Sequence, residues 1–253
     1  MLKRFLLYLN SKIAQTLPAE IIQKNMAKNW KNQWTEWKPQ QLFPNTLAMY
    51  AVFSAKYFEP TLLPESCIIE FGCAEAEYLL TIAPKVKKAY GFDISPAFLK
   101  TARNNAQEQE ITNVTFIERD LQQWLNKPDG LPKIEKRMSR DINDDDWYIS
   151  HVFFGWILMY FAKNEDVFKM FRICNRLLPS AGHILIRESL MKDRLPRKVF
   201  SAAGGYMAVY RTYEEYREMI ERSGFNIVVE DAIDHEEDTR HHIFLCSKET
   251  DIA

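Results

Sequence analysis

The chain lacks several features that would point to a specialised class of protein. It has 253 residues but only eight glycines and four cysteines, and no two cysteines form a C-x-x-C pair. Scattered cysteines inside apolar runs favour a reducing compartment and argue against metal or redox use. A formal net charge of −1 gives no electrostatic reason to expect nucleic acid or an anionic membrane as a partner. No apolar run reaches transmembrane length and no secretory signal is evident, so we expect a cytoplasmic protein.

What is present is the composition of an ordinary soluble globule, with 47% hydrophobic and 26% charged residues. The most informative stretch is residues 66–93. An apolar run ends at Glu70 and is followed by Gly72 and a row of small residues, which predicts a buried strand, a tight turn and a helix N-terminus. A second strand, residues 88–92, ends at Asp93. Asp93 therefore follows Gly72 by about 20 residues, the interval at which an acid meets a ribose in nucleotide-binding βαβ units.

Three interpretations fit this stretch. In the first, the two acids are strand-end carboxylates that bind nothing. In the second, the turn is a nicotinamide or flavin fingerprint, but G-x-G-x-x-G counted from Gly72 would place Glu77 where the third glycine is needed. In the third, Glu70, Gly72, Ala74 and Ala76 form an acid-x-G-x-G-x-G pattern in which alanine replaces two glycines. This pattern resembles the first motif of the class I S-adenosylmethionine-dependent methyltransferases.

The resemblance extends over roughly residues 61–248 and implies an α/β fold. The expected fold is a three-layer, Rossmann-like, seven-stranded sheet that is mostly parallel and ends in an antiparallel C-terminal hairpin. Residues 1–60 are predicted to form an N-terminal helical cap, and residues 61–253 the core. Residues 126–145 are predicted to be a loop, and residues 189–211 to be irregular. The seven strands are predicted at residues 67–69, 88–92, 114–117, 147–152, 184–186, 226–230 and 242–246.

The family resemblance implies S-adenosylmethionine as cofactor, with S-adenosylhomocysteine as product. It implies that Glu70 binds the ammonium of the methyl donor and that Asp93 binds the ribose. Asp120 and the backbone of Leu121 would meet the adenine, although Asp120 is equally suited to cap a helix at residues 121–125. The predicted cofactor-binding residues are Glu70, Gly72, Cys73, Ala74, Asp93, Ile94, Asp120, Leu121 and Phe153.

Candidate catalytic and acceptor-binding residues are fewer, because methyl transfer needs a base only when the acceptor must lose a proton. The candidates are His151, Tyr160, Glu188, Tyr206, Tyr210 and Arg211. His151 lies in the middle of a predicted strand, which favours a packed core histidine over a base. Arg187 and Glu188 either pair with each other or face an acceptor. No metal-ligand spacing is present, and the histidines at 235, 241 and 242 are expected at the surface or in the hairpin.

We therefore expect a methyltransferase that acts on an N or O acceptor of a small or sugar-like molecule. A protein N-terminal amine methyltransferase is an alternative, since residues 156–188 loosely resemble those enzymes. A non-catalytic methyltransferase-like scaffold is another, because two alanines replace glycines in the turn. Glu77 argues against a nicotinamide oxidoreductase, and the lack of a basic stripe with interleaved aromatics argues against RNA.

The N-terminal region is expected to add two elements to this core. Residues 1–19 suit an amphipathic helix that packs on the domain or on a partner subunit, for self-association, or that lies at a membrane surface. Tryptophans at positions 30, 34 and 37 share one helical face. They form a packing stripe or a lid over the cofactor.

Overall fold

The parallel part of the main sheet is built from the predicted apolar runs. We describe a computed structural model over residues 16–24, 50–125, 149–193, 195–201, 207–234 and 238–249. β1 and β4 lie in the middle of the sheet and are buried almost throughout, as strands covered by helices on both faces must be. The five parallel strands are β1 (Cys67–Phe71), β2 (Lys88–Asp93), β3 (Val114–Glu118), β4 (Ile149–Gly155) and β5 (His183–Met191).

Two antiparallel strands, β8 (Phe225–Asp234) and β9 (Thr239–Lys248), complete this sheet beside β5. The strand order is β3-β2-β1-β4-β5-β9-β8. This order confirms the expected seven-stranded, mostly parallel sheet with an antiparallel C-terminal hairpin. β5 continues past Ile186 to Met191, because it pairs with β9 along its whole length. The polar residues in that part of β5 had concealed the strand from the apolar pattern.

The helices begin at the caps that the sequence provides. The Ser95 side chain accepts a hydrogen bond from the Phe98 N–H, with proline at the next position. Thr212 and Glu215 form both bonds of a capping box. Among the described residues after residue 60, the α-helices are α1 (Glu77–Ile82), α2 (Pro96–Glu108), α3 (Leu121–Leu125), α4 (Asn164–Leu177) and α5 (Tyr213–Arg222).

Helices cover both faces of the sheet, so the core has two apolar layers. Ile69 and Phe71 of β1 lie in the layer shared with α3, α4 and α5. Ile68 lies in the other layer, with residues of α1 and α2 and with the segment before β1. That segment contributes Tyr50 and Phe58, and it includes a π-helical turn at Ser54–Phe58 and a 3-10 turn at Glu59–Thr61.

The region between β5 and α5 differs from the expectation of irregular structure. It contains β6 (Lys198–Ser201) and β7 (Met207–Tyr210), which pair as a separate two-stranded antiparallel sheet. Ile22 of the N-terminal segment 16–24 packs against this small sheet, and the Ala162 N–H donates to Gln23 Oε1 at 2.9 Å. The small sheet therefore packs against the described part of the N-terminal region.

The remaining expectations concern the histidines, the cysteines, membrane-spanning helices and the N-terminal region. His241 and His242 lie in β9 of the C-terminal hairpin, one of the two positions expected for them, and both are buried there. All four cysteines lie within the described residues, are buried, and form no disulfide. In the described part of the chain, no helix is long and apolar enough to cross a membrane. The amphipathic segment up to residue 15, the three tryptophans, the loop at 126–145 and His235 lie outside the described residues, and the domain boundary at residue 60 stays a prediction.

Candidate functional site

The turn after β1 is held in an unusual backbone conformation. Gly72, Ala74 and Ala76 all have positive φ angles, of 72°, 47° and 61°. The left-handed region is costly for residues with a Cβ atom, which explains why glycine suits these three positions and why only the next smallest side chain replaces it. The N–H groups of Gly72 and Cys73 both donate to the Phe92 carbonyl, at 2.7 and 3.0 Å. These bonds fix the turn against the end of β2.

The helix N-terminus predicted after the turn is that of α1, which starts at Glu77 because Ala76 is left-handed. Cys73 is buried next to Gly91 of β2, where a Cβ atom would lie 2.8 Å from the Cys73 Sγ. Burial raises the pKa of the Cys73 thiol, and the nearby Asp93 and Glu70 carboxylates add to this. Cys73 is therefore an inert packing residue beneath the turn.

Glu70 and Asp93 lie on the same face of neighbouring strands, since Glu70 pairs with Gly91 and side chains alternate along a strand. Glu70 is buried, and its Oε2 atom has no hydrogen-bond partner among the described residues. Burial raises the pKa of Glu70 to about 8, against the positive charge of Arg187. Such a carboxyl group is poised to ionise when a cation comes close to it.

Asp93 is already engaged with the backbone of the turn. Its Oδ2 accepts from the Ala74 N–H at 3.0 Å, and its Oδ1 accepts from the Ser95 N–H at 2.8 Å. Burial raises the pKa of Asp93, and these hydrogen bonds work in the opposite direction. Each carboxylate oxygen has a second lone pair, so Asp93 can hold the turn and still accept from a ligand. Ile94, the next residue, is half-buried.

Asp120 stands at the end of β3 and caps α3. Its Oδ1 accepts from the N–H groups of Gln122 and Gln123, at 3.1 and 3.0 Å. Leu121 is buried in the core layer of α3 and α4. The structure thus shows the capping role of Asp120, and the adenine contact stays a prediction.

An arginine enclosed by aromatic rings lies on the Glu70 face of the sheet, in β5 at the point where the pairing with β4 ends. The Arg187 Cζ atom is 4.5 Å from the ring centroid of Trp156, 4.6 Å from Tyr50, 5.1 Å from Phe153 and 6.0 Å from Tyr78. We call these four rings the aromatic box. Phe153 was expected in a strand-end turn, but it lies inside β4, opposite Glu70. Its ring belongs to the site because it contacts the Arg187 guanidinium.

The turn that follows β4 closes over the turn that follows β1. Trp156 has a φ angle of 55°, and its N–H donates to the Arg187 carbonyl at 2.7 Å. Ile157 lies against Gly72, where a Cβ atom would be 2.9 Å from the Ile157 Cδ1. Glycine at position 72 therefore serves both the left-handed backbone and this close approach. The side chains over Glu70 must shift for a ligand to reach its carboxyl group.

Glu188 and Arg211 lie on the opposite face of β5 from Arg187, so Arg187 and Glu188 do not pair with each other. Arg211 is fully buried and donates to Asn164 Oδ1 at 2.7 Å, to the Leu158 carbonyl at 3.0 Å and to the Phe161 carbonyl. Glu188 Oε1 accepts from the Leu158 N–H at 2.7 Å. Burial raises the pKa of Glu188 to about 8, against the bonds from the backbone and the charge of Arg211. Both predicted catalytic residues thus hold the chain after β4.

The remaining catalytic candidates are separated from this edge or packed. His151 pairs with Ile68 near the start of the strands, and its ring nitrogens contact Thr61 Oγ1 at 3.1 Å and Ser150 Oγ at 2.7 Å. This is the packed histidine that its mid-strand position favoured. Tyr160 is packed in a cluster that also includes Ala208 and, partly buried, Tyr210. Tyr206 lies outside the described residues.

Three residues of the aromatic box, Tyr50, Tyr78 and Trp156, were missed by sequence reasoning. Tyr50 precedes the core, Tyr78 lies on α1, and Trp156 follows β4. Their separation along the chain hides their association. The one available signal was Arg187 at the end of a parallel strand, the edge where ligands bind in open α/β sheets.

Comparisons with known proteins agree with this fold. A family model described as a methyltransferase domain matches residues 64–240. A curated 23S rRNA (uracil-C5) methyltransferase, RlmD of Aliivibrio salmonicida, is 29% identical over 63 residues, which are 25% of this chain and 14% of that protein. That match is too short to carry over an activity.

Solved structures share the fold at low identity. An S-adenosylmethionine-dependent methyltransferase of Methanosarcina mazei has a TM-score of 0.59 at 11% identity, with 77% of this chain and 97% of that chain covered. Magnesium protoporphyrin IX methyltransferase of Synechocystis PCC 6803, solved with S-adenosylmethionine bound, has a TM-score of 0.53 at 16% identity, with 81% and 79% covered. The 4+2 cyclase SpnF has a TM-score of 0.58 at 14% identity, with 80% of each chain covered. The matched family model spans most of the seven-stranded domain, and the chain belongs to the methyltransferase-domain family, within the class I S-adenosylmethionine-dependent methyltransferases.

Proposed function

We propose that this chain transfers a methyl group from S-adenosylmethionine to a nitrogen or oxygen atom of a small molecule. The observation that carries the proposal is the buried Glu70 Oε2 atom, for which the described part of the chain offers no hydrogen-bond partner. It lies on the same face as Asp93, across a left-handed turn with small residues at the three strained positions. A site with two acids at neighbouring strand ends suits a ligand with an ammonium at one end and a ribose at the other.

The chemistry of the residues fits this cofactor. Glu70 would bind the ammonium, and the approaching cation would lower the raised pKa of its carboxyl group. Asp93 would accept hydrogen bonds from the ribose hydroxyls through the lone pairs that the backbone leaves unused. S-adenosylmethionine supplies the methyl group on an already activated sulfonium. The chain's own contribution is therefore mainly to orient the donor and the acceptor and to exclude water.

The acceptor proposal rests on the surroundings of Glu70. The aromatic rings of Tyr50, Tyr78 and Trp156 enclose this edge of the sheet, which suits a small molecule better than a polymer. A net charge of −1 offers no general attraction for RNA. The alanines at 74 and 76 adopt the left-handed conformation of the turn, so they give no structural support to the scaffold alternative.

Calorimetry with S-adenosylhomocysteine tests donor binding. The wild-type chain should bind it, and Asp93→Ala should weaken binding about 10- to 150-fold, because hydrogen bonds to a charged group are worth roughly 1.5–3 kcal/mol. Asp193→Ala, which changes an exposed carboxylate, is the matched control and should bind like wild type. No binding to the wild-type chain would contradict the proposal.

Donor binding alone does not establish transfer, since a cyclase shares this fold. Transfer of a labelled methyl group should therefore be measured with small amines and hydroxyl compounds, a peptide with a free N-terminus, and RNA. The proposal predicts labelling in the first group. Labelling of only the peptide or the RNA would refute the small-molecule acceptor. Donor binding without any labelling would favour a non-catalytic role.

A further inference from the structure

Arg187 has hydrogen-bonding capacity that its surroundings do not use. The Nε atom of Arg187 is buried and has no hydrogen-bond acceptor among the described residues. Its guanidinium instead contacts the aromatic box, with Trp156 and Tyr50 closest at 4.5 and 4.6 Å. Aromatic faces stabilise the charge, but they do not accept the N–H bonds of the planar fork. The Arg187 Nε–H is thus held beside aromatic rings without an acceptor in the described part of the chain.

Glu70, on the same face of the sheet, also has hydrogen-bonding capacity that the described residues do not use. Glu70 pairs with Phe153, Phe153 pairs with Leu185, and Leu185 and Arg187 alternate onto one face of β5. The positive charge of Arg187 opposes the effect of burial on the pKa of Glu70. Within the described part of the chain, no ion pair joins them, and Glu70 Oε2 is also without a partner. The Arg187 guanidinium and the Glu70 carboxyl group are therefore not paired with each other, and among the described residues Arg187 Nε and Glu70 Oε2 each keep an unused bonding position.

The backbone of β4 leaves room for the guanidinium. Gly155 is paired with Arg187, and a Cβ atom at Gly155 would lie 3.0 Å from an Arg187 terminal nitrogen. A Cβ atom there would force the Phe153 ring and the guanidinium to shift. The box, Gly155 and the strand together fix the direction of the fork before a ligand arrives, which reduces the entropy lost on binding.

A ligand that satisfies both groups carries an ammonium and a carboxylate close together. We propose that Arg187 binds a ligand carboxylate at this site, and that this carboxylate belongs to the amino-acid end of the methyl donor, beside the ammonium on Glu70. The inference rests on the proposed donor binding and adds a residue to it. Arginine suits this role because its fork matches a carboxylate in a bidentate manner. A carboxylate on the acceptor is the other source of the same chemistry.

Calorimetry with two nucleosides distinguishes these sources. S-adenosylhomocysteine carries the amino-acid end, and 5′-methylthioadenosine lacks it. Arg187→Met should weaken S-adenosylhomocysteine binding about 10- to 150-fold and change methylthioadenosine binding less than about threefold. Arg187→Lys, which keeps the charge but not the fork, should give an intermediate loss. Arg222→Met, at an exposed arginine, is the matched control.

Each other outcome also decides the question. Equal losses for both nucleosides, in Arg187→Met and Arg187→Lys alike, would show a structural role and overturn the inference. Unchanged binding of both nucleosides would remove the donor as the source. In that case, benzoate should bind the wild-type complex with S-adenosylhomocysteine but not the Arg187→Met complex, if the acceptor supplies the carboxylate. Equal benzoate binding to the wild-type and Arg187→Met complexes would then overturn the inference. Failure of the wild-type chain to bind S-adenosylhomocysteine would instead contradict the proposed function.

Discussion

Replacing Arg211 with methionine should strongly destabilise the fold. The Arg211 side chain is fully buried and donates three hydrogen bonds, to Asn164 Oδ1 and to the carbonyls of Leu158 and Phe161. Methionine has similar length but no donors. The substitution would leave these three acceptors unsatisfied and would remove the positive charge that stabilises the Glu188 carboxylate.

The expected loss follows from these contacts. Leaving a buried acceptor unsatisfied costs about 1–3 kcal/mol, so the loss of three such hydrogen bonds should cost at least about 3–5 kcal/mol. At this chain length, each kcal/mol lowers the unfolding midpoint by about 2–4 °C, so the midpoint should fall by roughly 6–20 °C. Glu188→Gln should cost less, because an amide oxygen can still accept from the Leu158 N–H. The double substitution should cost less than the sum of the two single losses, since the residues belong to one network.

Urea and thermal unfolding followed by circular dichroism measure these losses. Arg222→Met is the control, because Arg222 is largely exposed and its bond to Glu218 should be worth less than about 1 kcal/mol. A loss for Arg211→Met that does not exceed the control value would refute the structural role of Arg211. Strictly additive losses for Arg211 and Glu188 would refute their coupling.

Substitutions at Ala76, Gly91 and His151 test the turn and the core, each by urea unfolding. Ala76→Gly should leave the free energy of unfolding unchanged or raise it by up to about 1 kcal/mol, whereas Ala76→Val should lower it, because Ala76 is left-handed and buried. Gly91→Ala should cost about 1–3 kcal/mol through the contact with Cys73 Sγ, and adding Cys73→Ala should restore part of the loss. His151→Phe should flatten the pH dependence of stability. Burial lowers the pKa of His151 from 6.5 to about 3, so the unfolded chain binds more protons between these values and stability falls as the pH is lowered through them. This contribution is up to about 1.4 kcal/mol per pH unit, and an unchanged slope in the variant would contradict it.

The fold was largely predictable because its signals are local. Strand β1 is an apolar run, Ser95 is an N-cap followed by proline, and Thr212 starts a capping box. The turn at Gly72 was also readable, since small residues recur at alternate positions where the backbone is left-handed. Each of these features depends on a few neighbouring residues and therefore shows in the sequence.

The surroundings of Glu70 were not predictable in the same way. The aromatic box joins Tyr50 to Trp156, more than one hundred positions apart, and only the order of the strands brings them together. The opposite directions of Arg187 and Glu188 follow from strand alternation, but the prediction ended the strand at Ile186. The small β6–β7 sheet has strands of four residues, too short for an alternating pattern to identify.

A structure of the chain with S-adenosylhomocysteine bound tests the central claim most directly. The account predicts that the ligand lies at the carboxyl edge of β1 and β2, with its ammonium on Glu70 and its ribose on Asp93. Arg187 should meet the ligand carboxylate. A ligand bound elsewhere, or at this edge without contact to either Glu70 or Asp93, would contradict the account.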